Sequence, residues 1–406
     1  MASRVHVIVG AGQAGANAAV AMRQAGFTGG IVLLGEESHP PYERPPLSKA
    51  ALTEDPDPEP GWFFPPAKYA ELEIDLRLGV AATALDIAGR RLTLADGGTL
   101  GFDRLLLATG GRARPLPVPG GEHVLLLHTL EDARRIRPRL VPGARVVCIG
   151  AGVIGLETAS SAHQRGCSVT VIEAASGVMG RAMTPEMARW AERLHRARGV
   201  TLLLGTGVAA IEPGRVRTAD GREIAADLVI AGVGMLRNTA LAQTAGLEVD
   251  GGIVVDEFGR TGVTDIYAAG DVAAFWHPTM HRRLRLESWK HAQNHGIAVG
   301  RAMAGIAEQY ADIPWYWSDQ HGVTLQVAGL PHEAETTVLR GHESAESFCA
   351  FHLGPNGRLV AATGVNAARE VRIALAMMEK GLSPDPAKLA DPGTRLQDLL
   401  KPPRID

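Results

Sequence analysis

Cysteine is almost missing from this chain of 406 residues: Cys148, Cys167 and Cys349 are the whole set. An odd, scattered trio lays out neither a disulfide framework nor the paired ligands of a zinc site, and it fits a reducing cytoplasm. Charge of either sign is not in excess. The formal net charge is −3, so there is no global electrostatic case for binding nucleic acid. Long apolar runs are lacking too, and none approaches the ~18 residues that a membrane span requires. The apolar run at residues 5–9 is too short for a secretory signal and leads into glycines rather than a cleavage site, so no targeting segment is expected. His277 and His281 have the spacing of a helical ligand pair, but Pro278 between them argues against the helix, and no metal is expected. Aromatic residues make up only 5% of the chain.

Glycine, by contrast, is abundant at 48 residues, which implies many tight turns and close backbone approaches. Some of these glycines are ordered into a pattern. A β-rich run at residues 5–9 leads into Gly10-Ala11-Gly12-Gln13-Ala14-Gly15, an alanine-rich helical stretch follows, and a second apolar run ends at Glu36. The pattern recurs with a strand at residues 145–149, the loop Gly150-Ala151-Gly152-Val153-Ile154-Gly155, a helix, and a strand ending at Glu173. One such glycine loop is weak evidence. Two, each between a strand and a helix with an acid about 20 residues on, are strong. The first glycine makes the turn, the second lets the backbone approach a pyrophosphate, and the third permits close helix–strand packing. The helix N-terminus offers free N–H groups and partial positive charge to the phosphates, and Glu36 and Glu173 would accept hydrogen bonds from a ribose. Two loops imply two nucleotides. A carboxylate at Glu173 repels a 2′-phosphate, and Ala174-Ala175-Ser176 offers no arginine to hold one, so NADH is expected over NADPH.

The length predicts two to four domains at roughly 100–200 residues each. Proline interrupts residues 39–66, where no regular structure is expected, and Pro115, Pro117 and Pro119 mark a linker. Beyond about residue 314 the pattern changes to short strands at residues 325–330, 336–340, 348–353 and 359–365, then a helix at 367–379. The expected division is a first nucleotide domain at residues 1–114 and 240–313, a second inserted at 115–239, and a C-terminal α+β domain at 314–406 with an antiparallel sheet.

The glycine loops, together with Pro41-Tyr42-Glu43-Arg44-Pro45-Pro46-Leu47-Ser48-Lys49, Ala108-Thr109-Gly110-Gly111, Leu156-Glu157, Tyr267-Ala268-Ala269-Gly270-Asp271 and Trp315-Tyr316-Trp317-Ser318-Asp319-Gln320, carry a resemblance that runs essentially end to end. The chain resembles the oxygenase-coupled, FAD-dependent NADH:ferredoxin reductases, the group of putidaredoxin reductase and the reductases of aromatic-ring dioxygenases. That resemblance implies an α/β fold like that of glutathione reductase, with two Rossmann-like domains. It implies that Gly10, Gly12, Ala14, Gly15 and Glu36 hold the adenosine diphosphate part of FAD. Arg44 and Lys49 would then lie along the flavin, Thr109 and Gly110 near its phosphates, Asp271 on the ribityl chain and Trp289 at the isoalloxazine. Gly150, Gly152, Ile154, Gly155, Glu157, Glu173 and Gly234 would serve NADH. Lys49 and Glu157 would pair beside the flavin N5 and position the nicotinamide without transferring protons, because hydride transfer needs no general base.

Disulfide reductases of this fold carry a Cys-x-x-x-x-Cys near the flavin. Here the chain reads Pro46-Leu47-Ser48-Lys49, so electrons are expected to leave singly, to a [2Fe–2S] ferredoxin that feeds a cytochrome P450 or a Rieske oxygenase. Arg282, Arg283, Arg285 and Lys290 form a local basic cluster that could steer an acidic ferredoxin, and Trp317 could contribute to docking. Each also has a plainer reading, as a solvated loop face or as packing. Two alternatives stay open: rubredoxin reduction on the same fold, and a redox-sensing flavoprotein like apoptosis-inducing factor.

Overall fold

The computed structural model describes residues 4–55, 57–180 and 182–400. The outermost residues of the expected first and last domains, 1–3 and 401–406, lie outside that range. By its contacts the chain forms two compact units.

The first unit comprises Met1–Arg44, Glu59–Arg112 and Met235–Asp312. Its centre is a five-stranded parallel sheet in the order Ile266–Ala268, Arg104–Leu107, Val5–Val9, Gly30–Gly35, Ile74–Leu78. Strands covered on both faces read as unbroken apolar runs, as Ile31-Val32-Leu33-Leu34 does, all four side chains being buried. Helix Gln13–Gln24 follows the first glycine loop and packs on helix Trp289–Met303. The approach is backbone to backbone. A Cβ on Gly296 would lie 2.3 Å from the Ala14 carbonyl oxygen, and one on Gly300 2.4 Å from that of Ala18. Glycine in a helix costs about 1 kcal/mol each, and here that cost permits a close crossing.

The second unit comprises Pro45–Pro58, Ala113–Gly234 and Ile313–Asp406. It has its own five-stranded parallel sheet, in the order Thr201–Leu204, Ser168–Glu173, Arg145–Ile149, Leu228–Ala231, Leu125–Leu126. It also holds an antiparallel sheet in the order Trp315–Gln320, Val323–Gly329, Leu359–Val365, Phe348–Leu353, Thr336–Arg340. Helix Ala368–Glu379 covers one face of it, burying Val371, Ala374 and Met377. The α/β class and the antiparallel C-terminal sheet are therefore as expected.

Two features differ from expectation. Within residues 39–66 the chain is not wholly irregular: Pro45–Ser48 is a 3-10 turn and Ala50–Thr53 a helical turn. Proline in a first helical turn lacks only an N–H that would be unpaired there anyway. That segment also groups with the second unit, not with residues 1–44. Asp55 pairs with Arg137 and Arg165, and Ser48 and Lys49 bond Glu157. Among the described residues no helix is long and apolar enough to cross a membrane.

Candidate dinucleotide sites and a buried ion pair

The two glycine loops are built alike. Gly10 has φ +110° and Gly150 φ +96°, in the region that only glycine enters without strain. A Cβ on Gly10 would meet the Ala108 carbonyl oxygen at 2.2 Å, and one on Gly150 that of Gly232 at 2.6 Å. The third glycines, Gly15 and Gly155, each pack so tightly that a Cβ would stand 1.9 Å from the carbonyl oxygen of the first. The middle glycines are different. At Gly12 and Gly152 nothing lies within 4 Å of the place a Cβ would take. Each is the N-cap of its helix, with no side-chain cap and no acid in the first turn. A bare helix N-terminus behind an open glycine is a cradle for an anion, and both loops fit the pyrophosphate of a dinucleotide.

In the first unit, Glu36 is exposed at the end of its strand. Its neighbour Glu37, which no sequence motif singles out, holds Arg44 at 2.6 Å and accepts the Tyr42 hydroxyl at 2.6 Å. Arg44, expected along the flavin, is thus oriented by Glu37 and lies over the Tyr42 ring. The Thr109 hydroxyl donates to the Asn238 carbonyl at 2.8 Å, and the Asn238 amide returns a bond to the Thr109 carbonyl at 3.0 Å. That clasp fixes the turn at Gly110, φ +55°. Asp271 sits in the short turn after strand Ile266–Ala268. The residue keeps partial exposure, but its Oδ1 is closed off and has no partner among the described residues. Burial pushes the carboxyl up to about 7, Glu287 adds to the rise, and Arg237 and Arg44 oppose it. Arg237 bonds the Asp271 carbonyl at 2.7 Å and Glu287 at 2.7 Å. A closed-off acceptor of this kind suits a hydroxyl donor, so this unit also fits the sugar-alcohol chain of a flavin dinucleotide. Trp289, half-buried, is the first residue of its helix, which Ser288 caps by accepting the His291 N–H.

In the second unit, Glu173 reaches back to the glycine loop. Its Oε2 accepts the Ala151 N–H at 2.7 Å and its Oε1 the Ala175 N–H at 2.8 Å. The carboxylate therefore braces the loop as well as facing outward, a role the motif alone does not suggest. Ile154, in the first turn of the helix, is 43% exposed. Gly234, just after strand Leu228–Ala231, has φ +103°.

The same unit joins Lys49 and Glu157. Glu157 lies on helix Val153–Gln164 and is 2% exposed. Lys49 Nζ stands 2.7 Å from its Oε2, and the Ser48 hydroxyl donates to the same oxygen. Oε1 accepts the Ser318 hydroxyl at 2.7 Å and the Asp319 N–H at 3.3 Å. Four donors thus occupy the acceptor sites of this carboxylate and fix its orientation. In the sequence, Ser48 and Ser318 stand out only as parts of motifs. Burial of both hydroxyls, adjacent to a charged pair, is the signal that completes the site.

The basic cluster belongs to the first unit. Arg283 is exposed and, among the described residues, forms no ion pair, whereas Arg285 stands 3.6 Å from Asp250. Arg282 and Arg283 lie on strand Arg282–Leu284, where Arg283 faces Trp276, itself 38% exposed. Lys290 bonds Gln293 at 3.3 Å. Trp317 belongs to the second unit and stacks on Trp315 with ring centroids 5.5 Å apart. All three cysteines are free and buried. Burial pushes the Cys148 thiol up to about 12 and raises those of Cys167 and Cys349.

The sequence profile of the pyridine nucleotide-disulphide oxidoreductases matches residues 4–296, and the reductase C-terminal profile matches residues 315–400. The chain is 40% identical over 406 residues to the ferredoxin–NAD(+) reductase component of the anthranilate 1,2-dioxygenase system of Burkholderia cepacia, covering 98% of this chain and 100% of that one. It is 36% identical to putidaredoxin reductase of Pseudomonas putida, covering 97% and 96% of the two chains. The solved structure of the covalent putidaredoxin reductase–putidaredoxin complex superposes with a TM-score of 0.93 at 35% identity, over 98% of this chain and 99% of that one.

Proposed function

The chain belongs to the pyridine nucleotide-disulphide oxidoreductase family, and from that membership we propose that it is an FAD-dependent NADH:ferredoxin oxidoreductase. The observation that carries this reading is the pair of uncapped, glycine-opened helices, one in each unit. When bound, the flavin accepts a hydride and gives up electrons one at a time. Gly10, Gly12, Ala14, Gly15 and Glu36 would hold FAD with Arg44, Thr109, Gly110, Asp271 and Trp289. Gly150, Gly152, Ile154, Gly155, Glu173 and Gly234 would hold NADH. Lys49 and Glu157 position the nicotinamide and do not move a proton.

The family takes its name from thiol chemistry, and this chain is not equipped for it. A buried thiol with a raised pKa has almost no thiolate at neutral pH and is inert in exchange. The acceptor is instead a [2Fe–2S] ferredoxin; one relative is named a ferredoxin–NAD(+) reductase component and the other a putidaredoxin reductase. That ferredoxin serves a Rieske dioxygenase or a cytochrome P450, in the cytoplasm. Arg282, Arg283, Arg285 and Lys290 steer it in, and Trp317 contributes to docking.

Anaerobic stopped-flow of the FAD-loaded protein tests the reading. NADH should bleach the flavin rapidly and a [2Fe–2S] ferredoxin should reoxidise it. A long-lived charge-transfer band with no electron exit would point to a redox sensor, and faster reoxidation by rubredoxin to a rubredoxin reductase. If docking is electrostatic, ferredoxin reduction slows with salt and ferricyanide reduction does not. Parallel salt curves would remove the basic cluster from the docking face.

A further inference from the structure

Glu157 is the inner end of a longer chain of buried polar groups, all in the second unit. Ser318, Gln320 and His195 are each 0% exposed. Gln320 Nε2 lies 2.8 Å from Ser318 Oγ, Gln320 Oε1 lies 2.8 Å from His195 Nε2, and His195 Nδ1 lies 3.1 Å from His321 Nε2. We propose that this chain, running His321–His195–Gln320–Ser318, is a one-way hydrogen-bond relay of orientation that fixes the Glu157 carboxylate, with Ser318, Gln320 and His195 as positioning residues for the Lys49–Glu157 pair. This rests on the reading that the pair positions the nicotinamide.

Each atom's role follows from the one before it. A carboxylate only accepts, so Ser318 spends its one hydroxyl proton on Glu157 Oε1. The Gln320 atom facing Ser318 must then be a donor, which is the amide nitrogen. Its oxygen therefore faces His195, and His195 Nε2 must carry a proton. Burial lowers the pKa of His195, so its other nitrogen is bare at neutral pH and accepts from His321 Nε2. Every bond points toward the carboxylate, and aligned bonds of this kind strengthen one another. The middle member is an amide, which does not pass protons readily, so the chain orients and does not conduct.

The arrangement is tied to one helix at both ends. His321 sits in a left-handed turn, φ +52°, and its N–H donates at 2.7 Å to Ser160 Oγ, three residues after Glu157. Burial, the neighbouring imidazoles of His195 and His163, and Arg198 push the His321 pKa down to about 3, so the outer donor stays neutral. Without Gln320 the Ser318 hydroxyl is free to rotate away from Glu157. Without His195 nothing decides which end of the Gln320 amide faces Ser318. Both losses free the carboxylate plane that Lys49 and Ser48 hold from the other oxygen.

Nitrogen-15 NMR of the FAD-loaded, histidine-labelled protein reads the proton positions directly. His195 and His321 should both be neutral Nε2–H tautomers near pH 7, and Gln320→Met should disturb the His195 signals. A Nδ1–H tautomer or a cation at His195 would overturn the proposal whatever the activity. The kinetic arm is a double-mutant cycle on flavin reduction by NADH. His195→Leu and Gln320→Met should each slow it about tenfold and add nothing in a Glu157→Gln background, whereas His195→Gln, whose amide can still donate to Gln320, should keep most of the parent's rate. Equal slowing in both backgrounds would mean a general structural role and would overturn the proposal. A Glu157→Gln protein reduced at the wild-type rate would instead refute the role of the pair in nicotinamide positioning, and with it the functional half of the proposal.

Discussion

Lys49 Nζ stands 2.7 Å from Glu157 Oε2, and the carboxylate it meets is all but sealed from solvent while the ammonium is not. Removing one partner of a buried pair costs about 3–5 kcal/mol when the other is left uncompensated. Here Ser48, Ser318 and the Asp319 N–H still donate to Glu157, so Lys49→Met should destabilise by less, about 1–3 kcal/mol in urea unfolding. Its effect on rate should be larger than that figure suggests. Glu157→Ala and Lys49→Met should each slow NADH-driven flavin reduction about 10–100-fold, the cost of misplacing a reactant by about 1 Å. A Glu157→Ala protein with an unchanged reduction rate would leave the pair purely structural.

The middle and third glycines of the second loop should separate binding from folding. Gly152 has an ordinary φ of −79° and open space where a Cβ would go. Gly152→Ala should fold normally and keep its FAD, yet raise the KM for NADH roughly tenfold, about 1.4 kcal/mol, because the methyl stands in the pyrophosphate's approach. Gly155→Ala meets the Gly150 carbonyl oxygen at 1.9 Å, so the helix must move, and a lowered thermal midpoint should accompany any loss of NADH binding. Normal NADH binding by Gly152→Ala would take that glycine out of the site.

These loops are legible in the sequence because much of their requirement is local. A φ that only glycine accepts, and the approach of the third glycine to the carbonyl of the first, are settled within a few residues, although the carbonyls that crowd the first glycines come from the distant Ala108 and Gly232. The surroundings of Glu157 are not legible in that way. Ser48 is 109 positions from it and Ser318 is 161, while Gln320 meets His195 across 125. No periodicity links such partners; only the packing of sheet, turn and helix does. Strand Trp315–Gln320 buries Ser318 and Gln320 at alternate positions, but the run Trp315-Tyr316-Trp317 masks that alternation in the sequence. Chain order alone groups residues 45–58 with the neighbours on either side of them, whereas Asp55 and Lys49 hold them to Arg137, Arg165 and Glu157.

Asp271 should make flavin binding depend on pH. Its carboxyl is raised from 3.8 to about 7 by burial, then by Glu287. In that window the folded apoprotein holds a proton that the unfolded chain has lost. Stability from this group is therefore full below about pH 4 and falls as pH rises through about 7. Asp271→Asn removes that fall, so the FAD-free variant should gain thermal stability relative to the parent at about pH 8 and not at about pH 4. Accepting a hydroxyl favours the ionised form, so FAD affinity of the parent should climb with pH, by at most about tenfold per unit, and level off above about 7. A slope that survives Asp271→Asn would assign the titration to another group.

Glu173 performs two tasks that substitution can pull apart. Its oxygens accept the Ala151 and Ala175 N–H groups, which braces the glycine loop, and each oxygen retains a second lone pair for a ribose hydroxyl. Its charge also opposes a 2′-phosphate. Glu173→Ala loses brace and charge together, so the KM for NADH should rise roughly tenfold while that for NADPH rises less. Glu173→Gln keeps one oxygen to accept a backbone N–H, and loses the charge together with the other of the two brace bonds. If charge is what discriminates, its ratio of kcat/KM for NADH over NADPH should fall by about tenfold or more, with NADH turnover closer to the parent's. Steady-state kinetics with both nucleotides reads this out. A ratio unchanged in Glu173→Gln but lowered in Glu173→Ala would mean that the loop's shape, held by two backbone bonds, and not the carboxylate's charge, selects the nucleotide.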